Sequence, residues 1–274
     1  MNNRSYTITG HMVVKNEDRW IWFSIMSVIN YLDKLIIYDT GSIDKTKEIV
    51  SFIKADTKYG SKIEYAELGS VSIEEFHKIR QKQIDKTETD YFMVIDGDEI
   101  WYQKSLEELD CIIEKQKPDL VATHFINCCG DIYHYRYDER ESYCINGVTG
   151  SLTIRVYSMR IPGIHCGGDY GVEGYIDCKG CAVQEAGYSI VMMQGKYLHT
   201  SLLNRSSAQN GDFSIKYRRK KLSAIWDERF PKDFIYPEVF YWDIPQVVKK
   251  PFSKEFNIIR FFYAIKKCLI RMIK

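Results

Sequence analysis

Tyr91-Phe92-Met93-Val94-Ile95-Asp96-Gly97-Asp98-Glu99-Ile100-Trp101 is the stretch on which the fold turns. An apolar, β-rich run ends abruptly in three carboxylates, with a glycine between the first two. A buried strand that releases acids at its carboxyl end places them in the crevice where open α/β sheets take their ligands. Asp96 and Asp98, two residues apart, can lean toward one ion if Gly97 lets the chain turn between them. Hard divalent cations such as Mg2+ or Mn2+ prefer carboxylate oxygen and bridge to phosphates. A polar turn after a strand is the plainer alternative, since a lone Asp-x-Asp is common.

The segments before this stretch set its context. Tyr6 to Val14 suits a buried strand, followed by the polar break Lys15-Asn16-Glu17-Asp18. Asp18 is placed to cap a helix over 19–32, where Ile21, Ile25, Val28, Ile29 and Leu32 recur at helical spacing. Leu35 to Tyr38 is a second strand ending on Asp39, and a turn with Ser42 or Asp44 as cap leads into a helix over 45–54. Lys62 to Glu67 reads as a third strand. Ser72 to Lys86 reads as a third helix, with Ser72 and Glu75 as a capping box. Strand and helix in strict alternation predict a Rossmann-like, mostly parallel sheet with helices on both faces. No Gly-x-Gly-x-x-Gly follows the first strand, which argues against a dinucleotide site of that kind.

After Trp101 the rhythm changes. A helix over 105–115 carries a second capping-box pattern, Ser105 with Glu108. Short β-like pieces follow at 120–126, 132–137 and 152–157, alternating with Gly-rich turns, so a mixed, partly antiparallel extension is expected there. Asp212 opens a basic helix, Lys216-Tyr217-Arg218-Arg219-Lys220-Lys221. The expected organisation is a ligand-binding half over 1–103, a second half of the same domain over 104–222, and an aromatic, basic helical extension over 223–274.

Bulk composition narrows the classes. The chain has 274 residues, a net charge of +1 and 45% hydrophobic residues, enough for a sizeable core and without the global field that a polyanion partner would need. No apolar run reaches the roughly 20 residues of a membrane span, and the start lacks a signal peptide's apolar core, so a cytoplasmic protein with reduced thiols is expected. Cys178 and Cys181 have half the spacing of a zinc knuckle, which His165 and Cys166 could complete; ordinary thiols are the alternative. From Pro245 onward eight Lys/Arg stand against Glu255 alone, interleaved with Phe256, Ile258, Ile259, Phe261, Phe262, Ile265, Leu269, Ile270 and Ile273. Residues 253–274 therefore suit an anionic membrane surface, or equally a helix packed on the catalytic domain or a twin subunit.

Four signatures stand in order: Val13-Val14-Lys15-Asn16-Glu17; Asp39-Thr40-Gly41-Ser42-Ile43-Asp44-Lys45-Thr46; Arg80 ahead of Asp96-Gly97-Asp98-Glu99; and Tyr197-Leu198-His199. Together they resemble family 2 glycosyltransferases of the GT-A fold, most of all the bacterial branch that decorates lipopolysaccharide, capsule or other surface glycans. The resemblance runs from residue 6 to about 221. It implies a nucleotide-diphosphate sugar donor, a glycan or lipid-linked acceptor, and Mn2+ or Mg2+ at Asp98, Asp96 and His199. It further implies a base pocket formed by Val13, Lys15, Glu17 and Asp39, with Asp39 accepting from the imide of uracil or a relative. Arg80 would approach base or phosphate, although a solvated helix face is its plain alternative. Gly97 belongs to the metal motif, and Lys216 and Arg219 to a segment that closes over the diphosphate.

An inverting transfer needs a base, and Glu173 or Asp169 in the Gly-rich stretch after Arg155-Val156-Tyr157 would supply it. Val172 stands where relatives carry a histidine, so this part of the match is incomplete. Two rival classes remain at this point. A GT-A-like nucleotidyltransferase would show a Gly-rich basic loop where Lys15-Asn16-Glu17-Asp18 stands, and a non-catalytic sugar-nucleotide or membrane adaptor would not require the intact set Asp96, Asp98 and His199. A haloacid-dehalogenase-type phosphatase would place its Asp-x-Asp at the first strand instead.

Overall fold

The computed structural model describes residues 4–136, 143–168, 174–208 and 228–253. In chain order the elements are β1 (Ile8–Val14), α1 (Ile21–Val28), β2 (Lys34–Asp39), α2 (Thr46–Lys54), β3 (Ile63–Glu67), α3 (Phe76–Asp85), β4 (Tyr91–Val94), β5 (Glu99–Trp101) and α4 (Gln103–Gln116). There follow β6 (Leu120–Cys129), β7 (His134–Tyr135), β8 (Tyr143–Ile145), β9 (Val148–Gly150), β10 (Leu152–Ser158), β11 (His165–Gly167), β12 (Gly174–Ile176), β13 (Ile190–Leu202) and β14 (Glu228–Arg229).

The main sheet runs β3-β2-β1-β4-β10-β6-β7-β14, and β13 joins both β6 and β5. Pairs β3–β2, β2–β1 and β1–β4 are parallel; β10 enters antiparallel to both β4 and β6. This is the expected α/β architecture with a mixed extension. The order reverses between β1 and β4, the switch point at which such sheets open a crevice beyond their strand ends.

The period-two pattern sends alternate residues to opposite faces. Met12, Leu35, Ile37, Met93 and Ile95 pack with α1, α2 and α4 in one large core. On the other face Phe92, Val94 and Ile84 share a cluster with Ile154 and Tyr157, while Ile36, Tyr38 and Ile79 form a smaller one beside α3. Strands buried on both sides read as continuous apolar runs, as Leu35-Ile36-Ile37-Tyr38 does. Among the described residues no helix is long and apolar enough to cross a membrane.

Several local readings are corrected. Asp18 does not cap α1, whose cap position is Trp20 without a side-chain bond; its carboxylate instead accepts from the Ser207 backbone and hydroxyl. Ser105 and Glu108 form no capping box, because α4 starts at Gln103. They clamp β13: Ser105 Oγ bonds the carbonyl and amide of Lys196 at 2.8 and 2.9 Å, and Glu108 accepts from the amides of Gln194 and Gly195 at 2.8 and 2.7 Å. A Cβ at Gly195 would lie 2.7 Å from Ser105, so only glycine lets helix and strand approach this closely. Ser72 and Glu75 open a 3-10 turn over Ile73–Glu75 before α3 begins. The expected strand over 132–137 shrinks to β7. The segment with Lys216 and Arg219 that was expected to be a basic helix, the candidate bases Asp169 and Glu173, and residues 254–274 lie outside the described residues.

Candidate functional site

Three loops converge at the carboxyl ends of β1, β2 and β4. Asn16 adopts a left-handed φ of 55°, and its side chain accepts from the Ile43 amide at 2.8 Å while Ser42 Oγ accepts from its own amide at 2.8 Å. Asn is among the few residues that take this conformation readily. The loop after β1 is thereby tied to the loop after β2. Asp39 sits between them, nearly buried, with Oδ1 accepting from Gly41 and Ser42 amides at 2.9 and 2.7 Å and Oδ2 from the Tyr65 hydroxyl at 3.0 Å. Asp44 bonds the Thr46 amide at 2.9 Å and so stabilises the start of α2. Val13 and Lys15 are partly buried alongside.

Gly97 does not take a positive φ. Its need for glycine is one of space: a Cβ there would meet Glu17 Cγ at 2.9 Å and Val14 Cγ1 at 3.3 Å. Glu17 is held across it by Arg205 Nη1 at 2.6 Å, and Trp20 Nε1 donates to the Asn204 carbonyl at 2.8 Å. The chain leaving β13 is thus fastened over the Asp96-Gly97-Asp98 turn.

The acids part company in the structure. Asp98 Oδ1 lies 3.5 Å from His199 Nε2, and Asp98 O accepts from the Thr200 amide at 2.8 Å, which fixes β13 beside the turn. Asp96 faces two arginines, with Arg80 Nη2 on Oδ1 at 3.0 Å and Arg155 Nη2 on Oδ2 at 3.4 Å. Arg80 is buried, so its place on α3 is no solvated face. Glu99 pairs with Arg155, and its Oε2 accepts from the Asp96 amide at 3.3 Å. Side-chain exposure runs 35% for Asp96, 6% for Asp98 and 0% for Glu99, so Asp96 is the acid most open to the crevice.

Electrostatics follow from this packing. Burial works to raise the Asp96 pKa, but Arg155 and Arg80 overcome it and hold the carboxyl below its ordinary value. Glu99 is pushed up to about 7 by burial, against the pull of Arg155. Burial likewise opposes the charge on Arg155, and Glu99, Tyr197 and Asp96 more than restore it.

The sequence profile of glycosyl transferase family 2 matches residues 11–172, more than half of the chain. The chain belongs to glycosyl transferase family 2. No curated protein matches it. Among solved structures it is similar to S. aureus TarS 1–349 in complex with UDP-GlcNAc, with a TM-score of 0.50 and 14% identity over 71% of this chain and 58% of that one. The structure of S. aureus TarS gives a TM-score of 0.50 with 14% identity over 71% of this chain and 36% of that one. Glucosyl-3-phosphoglycerate synthase from Mycobacterium tuberculosis, with Mn2+ and UDP-glucose, gives 0.34 with 19% identity over 44% of each chain. This chain therefore spans well under two thirds of TarS, and the likeness extends to the fold.

Of the residues singled out from the sequence of this family 2 chain, Glu17, Arg80, Asp96, Gly97, Asp98 and His199 lie in one contiguous arrangement, with Asp39 bound into the neighbouring loops. Sequence reasoning used Arg155 only as a landmark. It falls on the less buried phase of the alternating strand, like Thr153, so its neighbours in sequence give no signal of its role. Asp98 and His199 offer one carboxylate oxygen and one imidazole nitrogen. Two ligands roughly 2.1 Å from a common ion stand about 3 Å apart across a right angle, so a separation of 3.5 Å fits a shared divalent cation. A nitrogen ligand suits Mn2+ better than Mg2+.

Proposed function

We propose that the protein is a metal-dependent, inverting glycosyltransferase that moves a sugar from a nucleotide-diphosphate donor, a UDP-sugar in preference, to a glycan or lipid-linked acceptor in surface polysaccharide assembly. The observation that carries this reading is the meeting of Asp98 and His199 at the sheet's switch point, with the more exposed Asp96 beside them. Family membership supports it, as does a fold that in TarS accompanies bound UDP-GlcNAc.

In this reading Asp98 and His199 would hold Mn2+ or Mg2+, a Lewis acid that would offset the negative charge building on the departing diphosphate. Asp96 would accept from the ribose, or alternatively from water on the metal. Arg80 and Arg155 keep Asp96 ionised, so it serves as an acceptor at neutral pH. Asp39 retains one acceptor position beyond its bonds to Gly41, Ser42 and Tyr65, enough for a single imide N–H. Glu173, with Asp169 as the alternative, takes the proton from the attacking hydroxyl. Lys216 and Arg219 neutralise the diphosphate, and residues 253–274 meet an anionic membrane surface.

A thermal-shift panel of UDP, GDP, CDP and dTDP, with and without Mn2+, tests the reading on the intact chain and on Asp98→Ala. One nucleotide should stabilise the unaltered protein only with metal, and Asp98→Ala should abolish that shift. Equal shifts in both proteins would remove Asp98 from the site.

A further inference from the structure

Arg155 stands at an irregular step in β10, where the register against β6 shifts between Ile154 and Val156. A bulge of this kind leaves one residue out of the ladder and re-aims its side chain, and bulges are frequent beside active sites. The guanidinium reaches the strand ends of β4 and β5 and is held on several sides. Nε and Nη2 donate to the Tyr197 hydroxyl at 3.3 and 3.1 Å, and Nη2 also meets Glu99 and reaches Asp96 Oδ2 at 3.4 Å. Tyr197 is fully buried, with its ring between Trp101 at 4.9 Å and Phe125 at 5.6 Å, so the hydroxyl that anchors Arg155 has little room to move.

Asp96 thus carries one arginine on each oxygen. An ionised carboxylate has about four acceptor positions and no donor. With Arg80 and Arg155 filling positions on the protein side, the crevice side offers two neighbouring acceptors. That pattern is complementary to two adjacent hydroxyl donors, and the ribose 2′,3′-diol of the proposed nucleotide donor presents such a pair. A phosphate, which is anionic and acceptor-only, is refused at this point.

We infer that Arg155 is a positioning residue that turns both Asp96 oxygens to a ribose diol, so that the protein selects ribonucleotide over deoxyribonucleotide donors through a side chain that does not itself touch the donor. The inference rests on the reading of Asp96 as a donor-binding residue. A merely structural Arg155 would neutralise buried Glu99 and leave ribose selection unaltered.

The test is calorimetric titration of the intact chain with UDP and with 2′-deoxy-UDP, both with Mn2+. One lost hydrogen bond to a charged acceptor corresponds to about tenfold in affinity, so the unaltered protein should favour UDP by at least that factor. Arg155→Lys keeps the buried charge opposite Glu99 but loses the planar fork and the Nε bond to Tyr197 that fix its direction, and the preference should fall to about twofold. Should that variant not fold, the double substitution Arg155→Met with Glu99→Gln removes both partners of the buried pair, and the same loss of preference is expected. Asp96→Asn separates the two levels of the argument. If it leaves the preference intact, Asp96 does not read the ribose, and its donor role and the inference both fall. If Asp96→Asn erases the preference while the Arg155 variants keep it, the inference alone is overturned. Failure of the unaltered protein to bind either nucleotide overturns the donor reading and the inference together.

Discussion

The side chain of Glu17 lies across Gly97 so closely that a Cβ at position 97 would come within 2.9 Å of Glu17 Cγ. Glu17 cannot simply swing away, because Arg205 holds its carboxylate at 2.6 Å. Gly97→Ala should therefore cost about 1–3 kcal/mol in denaturant unfolding, the range of an overpacked site. In a Glu17→Ala background the same substitution should cost less, since Glu17 Cγ, the only atom under 3 Å, is gone while the contacts near 3.2 and 3.3 Å remain. Equal costs in the two backgrounds would sink the steric account of this glycine.

His199 tests the metal chemistry from the other side. With one imidazole and one carboxylate the site should bind nucleotide more tightly with Mn2+ than with Mg2+. His199→Asp makes the set all-oxygen and should narrow or reverse that preference, read as the ratio of nucleotide affinities with each ion. A ratio that does not move would place His199 outside the coordination sphere.

Much of the fold was legible because strands buried on both faces and helices with a 3.6-residue period leave distinct patterns, and because each strand end carried its own polar signal. Of the candidate site, the sequence marked Asp39, Asp96 and Asp98 as acids at strand ends, where the structure puts them, and Asp98 stands beside His199. What misled were local patterns with two physical uses. Ser105 with Glu108 reads as a capping box, yet the same oxygens serve as acceptors for the amides of β13. Asp18 reads as a helix cap, yet it bonds a distant serine. Nothing within a few residues of Arg155 marks it as the partner of Asp96, because that contact depends on a bulge and on pairing between distant strands. Gly97 does lie in a turn, closed by the Glu99 amide on the Asp96 carbonyl at 3.1 Å, but what demands glycine there is close approach and not a positive φ.

Glu99 supplies a pH dependence whose sign can be worked out. Its pKa in the folded chain is about 7, above the ordinary 4.5, so its contribution to stability is fully present below about 4.5 and is lost as pH rises through 7. Glu99→Gln, which cannot ionise, should lack that loss. Urea unfolding at pH 5 and pH 8 should show the unaltered protein losing stability relative to the variant, by at most about 3 kcal/mol. The opposite slope would mean that Arg155 holds Glu99 ionised well below neutrality, so that the ion pair outweighs burial.

The identity of the base closes the set. Glu173→Gln keeps size and hydrogen bonding but cannot take a proton, so nucleotide-donor affinity should stay within about twofold while transfer falls by 10²–10⁴, the range typical of a lost general base. Asp169→Asn should leave transfer closer to that of the unaltered protein. Single-turnover transfer measured beside donor titration separates chemistry from binding. Should the two variants exchange these behaviours, Asp169 is the base. Should both keep near-full turnover, the proton leaves by another group, and the assignment of this stretch to catalysis fails while the donor site stands.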